Sequence, residues 1–183
     1  MYQDDGGAIY INEVTLLVDS CNFLENTAID DGGAIYIDEG TLLMDSCNFL
    51  ENTAIYYGGA IYITEGTLLV DTCNFLENTA EVGGAFIMFE TSMDIITSNI
   101  SMNLAYFGGG MYLSGSSVVV EDSSLLSNTA YYYGGGLQSS RGFLNVSSCD
   151  ISDNTAGGGL HSESESFLDS SLISNNIAVE LAR

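Results

Sequence analysis

Lysine is absent from this chain, arginine occurs only as Arg141 and Arg183, and histidine only as His161, against 25 aspartates and glutamates. The formal net charge is −23. Binding to a phosphate backbone depends on Lys and Arg displacing condensed counterions, so this composition excludes nucleic-acid binding. Anionic membranes are excluded by the same sign. Proline is absent too, and no charged run interrupts the chain, so nothing reads as a linker and residues 1–183 read as a single domain. No apolar run approaches the ~18 residues that a membrane-spanning helix needs. The first five residues lead directly into a repeat without the basic start and apolar stretch of a secretory signal, which makes a fragment of a longer array the expectation. Acid-rich composition can signal disorder, but a hydrophobic content of 46% at regular spacing removes that reading.

What is present is one unit of about 26 residues written about seven times, best seen in residues 32–57, GGAIYIDEGTLLMDSCNFLENTAIYY. Paired glycines open the copies at Gly6, Gly32, Gly58, Gly83, Gly108, Gly134 and Gly157, at successive separations of 26, 26, 25, 25, 26 and 23 residues. Twenty residues after each start stands Asn26, Asn52, Asn78, Asn103, Asn128 or Asn154, and the seventh copy supplies Asn176 one residue early. The first three copies are nearly identical; the last four have diverged. A fixed period of this length is the mark of a solenoid.

Positions that stay apolar across copies give the inward face. Ile9, Ile35, Ile61, Phe86, Met111, Leu137 and Leu160 form one set, with Ile11, Ile37, Ile63, Met88 and Leu113 two residues on, turning to Ser139 and Ser162. The residue between varies through Tyr36, Ile87, Gln138 and His161, as an outward strand position does. A second alternating pair runs through Leu16, Leu42, Leu68, Met93, Val118, Leu144 and Phe167, then Val18, Met44, Val70, Ile95, Val120 and Val146. The third is Cys21 with Phe23, Cys47 with Phe49 and Cys73 with Phe75. Three short strands per coil, separated by Gly, Asp, Ser and Asn turn residues, predict an all-β parallel β-helix of about seven coils. At about 4.8 Å between paired strands the rod is roughly 34 Å long. The right-handed sense is expected from strand-crossover preference. Double glycine is expected to supply positive φ and close stacking at a corner, and asparagine to tolerate the left-handed region while its amide builds a ladder along the rod.

GGAI at Gly6, Gly32 and Gly58, followed by FxxN as Phe23 to Asn26, Phe49 to Asn52 and Phe75 to Asn78, resembles the paired motifs of chlamydial polymorphic outer-membrane proteins. Similar repeats occur among pectin-lyase-like right-handed β-helix proteins. The resemblance covers essentially the whole chain, and implies an autotransporter passenger: an adhesive, surface-exposed rod. Later copies drift to GGAF, GGGM and GGGL, with Ile100, Leu125, Ile151 and Ile173 in place of the phenylalanine.

Four constellations are candidates for function. Cys21, Cys47, Cys73 and Cys149 share one inward slot with Ser98 and Ser123; their parallel β-carbons and lack of C-x-x-C spacing favour free thiols and no metal site. Acidic columns align as Glu13, Glu39 and Glu65, as Asp19, Asp45 and Asp71, and as Glu25, Glu51 and Glu77. They read as a solvated face, with weak Ca²⁺ binding as the sharper expectation and no other cofactor. Outward Tyr10, Tyr36, Tyr62 and Tyr112 form an aromatic column interrupted by Ile87, with Tyr56, Tyr57 and Tyr131 to Tyr133 clustered before the glycines and Leu17, Leu43 and Leu69 as an apolar stripe. These suit a glycan or a host-cell or surface protein as partner. No catalytic residues are assigned: β-helix enzymes on acidic polysaccharides need a cationic clamp beside clustered carboxylates, and this chain is nearly without cations. The expectation is an extracellular or cell-surface rod that binds rather than catalyses, associating end to end through uncapped coils, with a carbohydrate-active or sugar-binding β-helix as the alternative.

Overall fold

The computed structural model describes residues 4–156 and 158–178, and the glycine-repeat position 157 and the segment 179–183 lie outside that description. The chain winds as a parallel β-solenoid with three stacks of short strands. The first stack begins with Ile9–Asn12, Ile35–Asp38, Ile61–Thr64 and Phe86–Phe89; the second with Thr15–Asp19, Thr41–Asp45, Thr67–Asp71 and Ser92–Ile96; the third with Asn22–Leu24, Asn48–Leu50, Asn74–Leu76 and Asn99–Ser101. Each strand pairs in parallel with its copy one repeat away, so Ile35 meets Ile9 and Ile61, and Phe49 meets Phe23 and Phe75. None of these strands buries enough on its own; the stack supplies the missing neighbours on both edges.

The inward sets form one continuous core. Ile35, Ile37, Leu42, Met44, Cys47 and Phe49 of the second coil are all buried, as are their counterparts in the third. Phe23, Phe49 and Phe75 stack ring on ring at 4.5 and 4.7 Å. Where that column changes to Ile100, the first strand of the same coil replaces isoleucine with Phe86, whose ring sits 4.2 Å from Phe75. Lost volume on one wall is restored from the facing wall, as close packing requires.

The two glycines of each pair have different duties. Gly32, like the first glycine of the other described pairs, has a left-handed φ of 66°, while a β-carbon on Gly33 would strike the carbonyl of Gly59 in the next coil. The asparagines are not the left-handed residues. That conformation falls one position earlier, on Glu25, Glu51, Glu77, Met102, Ser127, Asp153 and Asn175. The ladder itself is present. Asn78 donates through Nδ2 to Asn103 Oδ1 at 3.0 Å and to the Phe49 carbonyl at 3.1 Å, and its Oδ1 accepts from both the N–H and the Nδ2 of Asn52 at 3.0 and 2.9 Å. The side-chain amide is fully used, which is what a buried amide requires. The cysteine slot forms a second ladder: Cys73 Sγ takes the Cys47 N–H at 3.3 Å, and Ser98 Oγ takes the Cys73 N–H at 3.0 Å. Serine and cysteine interchange there because either can accept that bond.

Two details add to the three-strand coil, and one sequence reading needs correction. In the fifth and sixth coils the first two strands run on as Met111–Glu121 and Leu137–Ser147, with pairing resumed in the same register past the left-handed corner at Gly115 and Arg141. Two-strand pairs Thr27–Ala28 with Thr53–Ala54, and Leu104–Phe107 with Thr129–Tyr133, add a fourth segment after the asparagine corner. In the last coil Ser166, not Phe167, aligns with Leu144, so Phe167 pairs with the outward Asn145 and is 59% exposed. The shorter final repeat shifts the register by one residue, and a one-residue slip changes the face.

Candidate functional site

Three columns of side chains come together outside the first stack. The middle column is the outward position of the first strands, in register from Tyr10 through Tyr36, Tyr62, Ile87, Tyr112 and Gln138 to His161. Flanking it across the glycine corner are the residues that precede each pair, Asp31, Tyr57, Val82, Phe107 and Tyr133, bridged coil to coil. On the other side lie the strand ends Asn12, Asp38, Thr64, Phe89 and Ser114.

In the first three coils the middle column is closed. Tyr10, Tyr36 and Tyr62 stack at 4.9 and 4.7 Å with planes 4° apart, so each ring covers its neighbour's face and leaves edges and hydroxyls outward. Ile87 breaks the stack. The missing ring leaves a cleft of about 390 Å³ floored by Ile87, walled by Tyr57, Val82, Phe107 and Phe89, and ended by Tyr112 and Gln138. Ile87 is fully buried although it faces outward, packed among these neighbours at the base of the cleft. Phe89 is tilted 6.0 Å from Tyr62 and 6.5 Å from Tyr112, and meets Tyr57 edge-on at 6.4 Å. Beyond the cleft the aromatic band continues through Tyr106, Phe107 and Tyr132 to Tyr133, whose ring stacks on His161 at 5.0 Å.

The band is electrostatically polar along its length. At the N-terminal end burial pushes the Asp31 carboxyl up to about 6, reinforced by Asp5 and Asp30, while a hydrogen bond from the Tyr57 N–H works the other way. Burial likewise pushes the Tyr62 hydroxyl up to about 12, with Asp31 and Asp38 adding to the shift. The Asp5 carboxyl and the Tyr36 hydroxyl are raised too, again chiefly by burial. At the other end His161 Nε2 lies 3.9 Å from Glu163 Oε1, and Arg141 Nη2 donates to Ser114 Oγ at 3.0 Å. Two oxygens bordering the band, Asp31 Oδ1 and Gln138 Oε1, are shielded from solvent and have no hydrogen-bond partner among the described residues. Both are acceptors.

The other sequence candidates fall elsewhere. Leu17, Leu43 and Leu69 line a shallow groove with Asp19, Asp45 and Asp71, and the stripe stops at Asp94 in the fourth coil. Leu17 is 71% exposed, as befits the end coil. Glu13, Glu39 and Glu65 border an open groove of about 300 Å³ and hold left-handed φ angles of 49–53°. No group of three or more His, Cys, Asp or Glu side chains is disposed to hold a metal ion among the described residues. Glu65, Glu90 and Arg141 meet at a corner pocket of about 220 Å³ that shares Phe89 with the main cleft. All four cysteines are free, and Cys21 is exposed where Cys47, Cys73 and Cys149 are buried. Burial raises Cys73 to about 12 and raises Cys47 and Cys149 as well, so these thiols stay protonated and inert.

Sequence reading found the tyrosine column and its break at Ile87 but missed Phe89, Val82 and Phe107. A signal for Phe89 was present: it stands in register with Asp38 and Thr64 of the earlier copies, so an aromatic has entered a polar column. For Val82 and Phe107 the signal was their offset of one residue before the glycines, shared with Tyr57 and Tyr133.

The family described as the right-handed β-helix region matches residues 6–178, nearly the whole chain, and the protein belongs to it. None of the curated proteins and none of the solved structures compared with it matches.

Proposed function

We propose that this right-handed β-helix protein is a cell-surface or secreted structural rod that acts by binding, in the manner suggested by its GGAI and FxxN resemblance to polymorphic outer-membrane protein passengers. The observation that carries this reading is the cleft at Ile87. It combines apolar rings with one unpaired acceptor, Gln138 Oε1, the usual composition of a recognition site, and neither carboxylate nor imidazole lines it. A side chain or a sugar ring fits 390 Å³. Ile87, Phe89, Phe107, Tyr112 and Gln138 are strand positions, and Tyr57 and Val82 are bridged to the neighbouring coils, which favours recognition by a preformed surface.

The test is a binding and turnover screen of the whole protein against immobilised host-cell surface proteins and against acidic, neutral and sulfated polysaccharides. Binding without cleavage, weakened when Ile87→Tyr fills the cleft, is the expected result. Cleavage of any polysaccharide overturns the reading in favour of a carbohydrate-active enzyme, and the corner pocket of Glu65, Glu90 and Arg141 is where Glu90→Gln would then be tried.

The same reading includes end-to-end association. Val14, Leu17, Leu24 and Ile29 of the first coil and Phe167, Leu172, Ile173 and Ile177 of the last are all more than half exposed or at half exposure, beside strand edges with no partner among the described residues. Sedimentation over a wide concentration range should show association; a strict monomer contradicts it.

A further inference from the structure

We propose that the aromatic trough docks an extended cationic peptide, with a bulky apolar side chain in the Ile87 cleft and an arginine or lysine three residues away against Asp31. This rests on the binding-rod reading and names the ligand class of the same surface. Three observations lead to it.

The first is geometric. Asp31 and Val82, which walls the cleft, stand two steps apart in the bridged column Asp31–Tyr57–Val82, so the two subsites are about 10 Å apart along the rod. An extended peptide rises about 3.3 Å per residue, so side chains three positions apart span that distance. Gln138, two steps from the cleft centre on the opposite side, is placed to accept from a ligand N–H.

The second is the chemistry of what lacks a partner. The unpartnered atoms bordering the trough, Asp31 Oδ1 and Gln138 Oε1, are shielded in the ligand-free protein and are both acceptors, so a ligand whose binding uncovers them has to bring donors. A guanidinium or an ammonium is a donor with no acceptor of its own. Asp31 is half-buried beside the like charges of Asp5 and Asp30, and a carboxylate poorly solvated among carboxylates gains most from an approaching cation.

The third is the field and the walls. A net charge of −23 draws cations to the rod, and the tilted rings of Tyr57, Phe89 and Tyr62 border the path from Asp31 to the cleft. Aromatic faces attract cations, and Arg more often than Lys. By contrast the Tyr10–Tyr36–Tyr62 stack has spent its faces on itself and offers no platform for a sugar ring.

Calorimetric titration at pH 7.5 tests this with a blocked hexapeptide carrying leucine and arginine three positions apart in a Gly-Ser background. Controls are the same peptide with citrulline for arginine, the same with glutamate, and a neutral cello-oligosaccharide. The arginine peptide should bind at least about tenfold more tightly than the citrulline peptide, and Asp31→Asn should remove that difference. Phe89→Leu keeps an apolar wall but loses the ring, and should weaken the arginine peptide about three- to thirtyfold. Glu51→Gln removes the same single charge as Asp31→Asn at the corner after the third strand stack and should change nothing; equal weakening by both would mean diffuse attraction and overturns the site. Variants are scored only where their β-sheet circular dichroism matches the parent. Preference for the oligosaccharide, or no binding by the arginine peptide at millimolar concentration, overturns the cationic ligand while leaving the binding rod to be judged by its own surface screen.

Discussion

In the first three coils Tyr10, Tyr36 and Tyr62 lie face to face, and the surface they make is closed; in the fourth coil Ile87 and Phe89 stand where a tyrosine and a small polar residue would continue the pattern, and the surface opens into a cleft. Both regions keep the same scaffold. The glycine pair, the buried asparagine and the inward apolar sets run through all of them. A copied coil satisfies its neighbours completely, because an aromatic stacks best on its own copy 4.8 Å away, and a surface so satisfied has little left to offer a ligand. Departure from the copy is what frees ring faces and leaves acceptors unpaired.

The shared scaffold can be broken in either region with the same result. Gly59→Ala in the exact copies and Gly84→Ala in the diverged ones each drive a β-carbon into the next coil's glycine carbonyl, and both should abolish cooperative thermal unfolding followed by circular dichroism. Gly115→Ala meets nothing closer than Glu90 Cγ at 3.3 Å and should cost only its left-handed φ of 67°, about 1–2 kcal/mol.

Ladder cuts come next in size. Asn78→Ala and Asn103→Ala each orphan several buried donors and acceptors, at about 1–3 kcal/mol apiece, so each should lower stability in urea by about 3 kcal/mol or more. Asn26, half-buried in the first coil, should cost less. A large difference between the two interior variants would show that the diverged coils do not share the scaffold.

A pH series separates the regions, since the acidic end of the trough lies in the exact copies. The folded protein holds the Asp31 proton more tightly than the unfolded chain, whose carboxyl titrates near 3.8, so the stability contributed by Asp31 is full below that value and is lost as pH rises through about 6. Melting temperature should therefore fall between pH 4 and pH 7, by less in Asp31→Asn, and Asp31→Asn should be the more stable protein at pH 7.

The smallest effect sharpens the contrast most. Ile87→Tyr rewrites the diverged coil as a copy, and should shift stability by no more than about 1.5 kcal/mol while closing the cleft. A melting temperature near the parent's together with lost binding would show that the break in the stack serves recognition and not folding.

Much of this architecture is legible in the sequence. Period-two alternation at Ile35 and Ile37, at Leu42 and Met44, and at Cys47 and Phe49 identified three inward faces, because burial in a stack acts on every copy alike. The asparagine ladder was legible for the same reason, although its left-handed partner, Glu51 rather than Asn52, was not, since φ belongs to a corner and leaves no periodic trace. Phe167 was misplaced because the short last repeat moves its register.

The repeat in the sequence determined the coils, their parallel register, the core and the ladders, since each follows from identical neighbours stacked one strand apart. Tertiary structure alone decided the cleft. Val82, Ile87, Phe89 and Phe107 come from three positions in two coils, and whether their side chains meet depends on how the glycine corner folds one column against the next, a lateral contact on which the repeat period is silent.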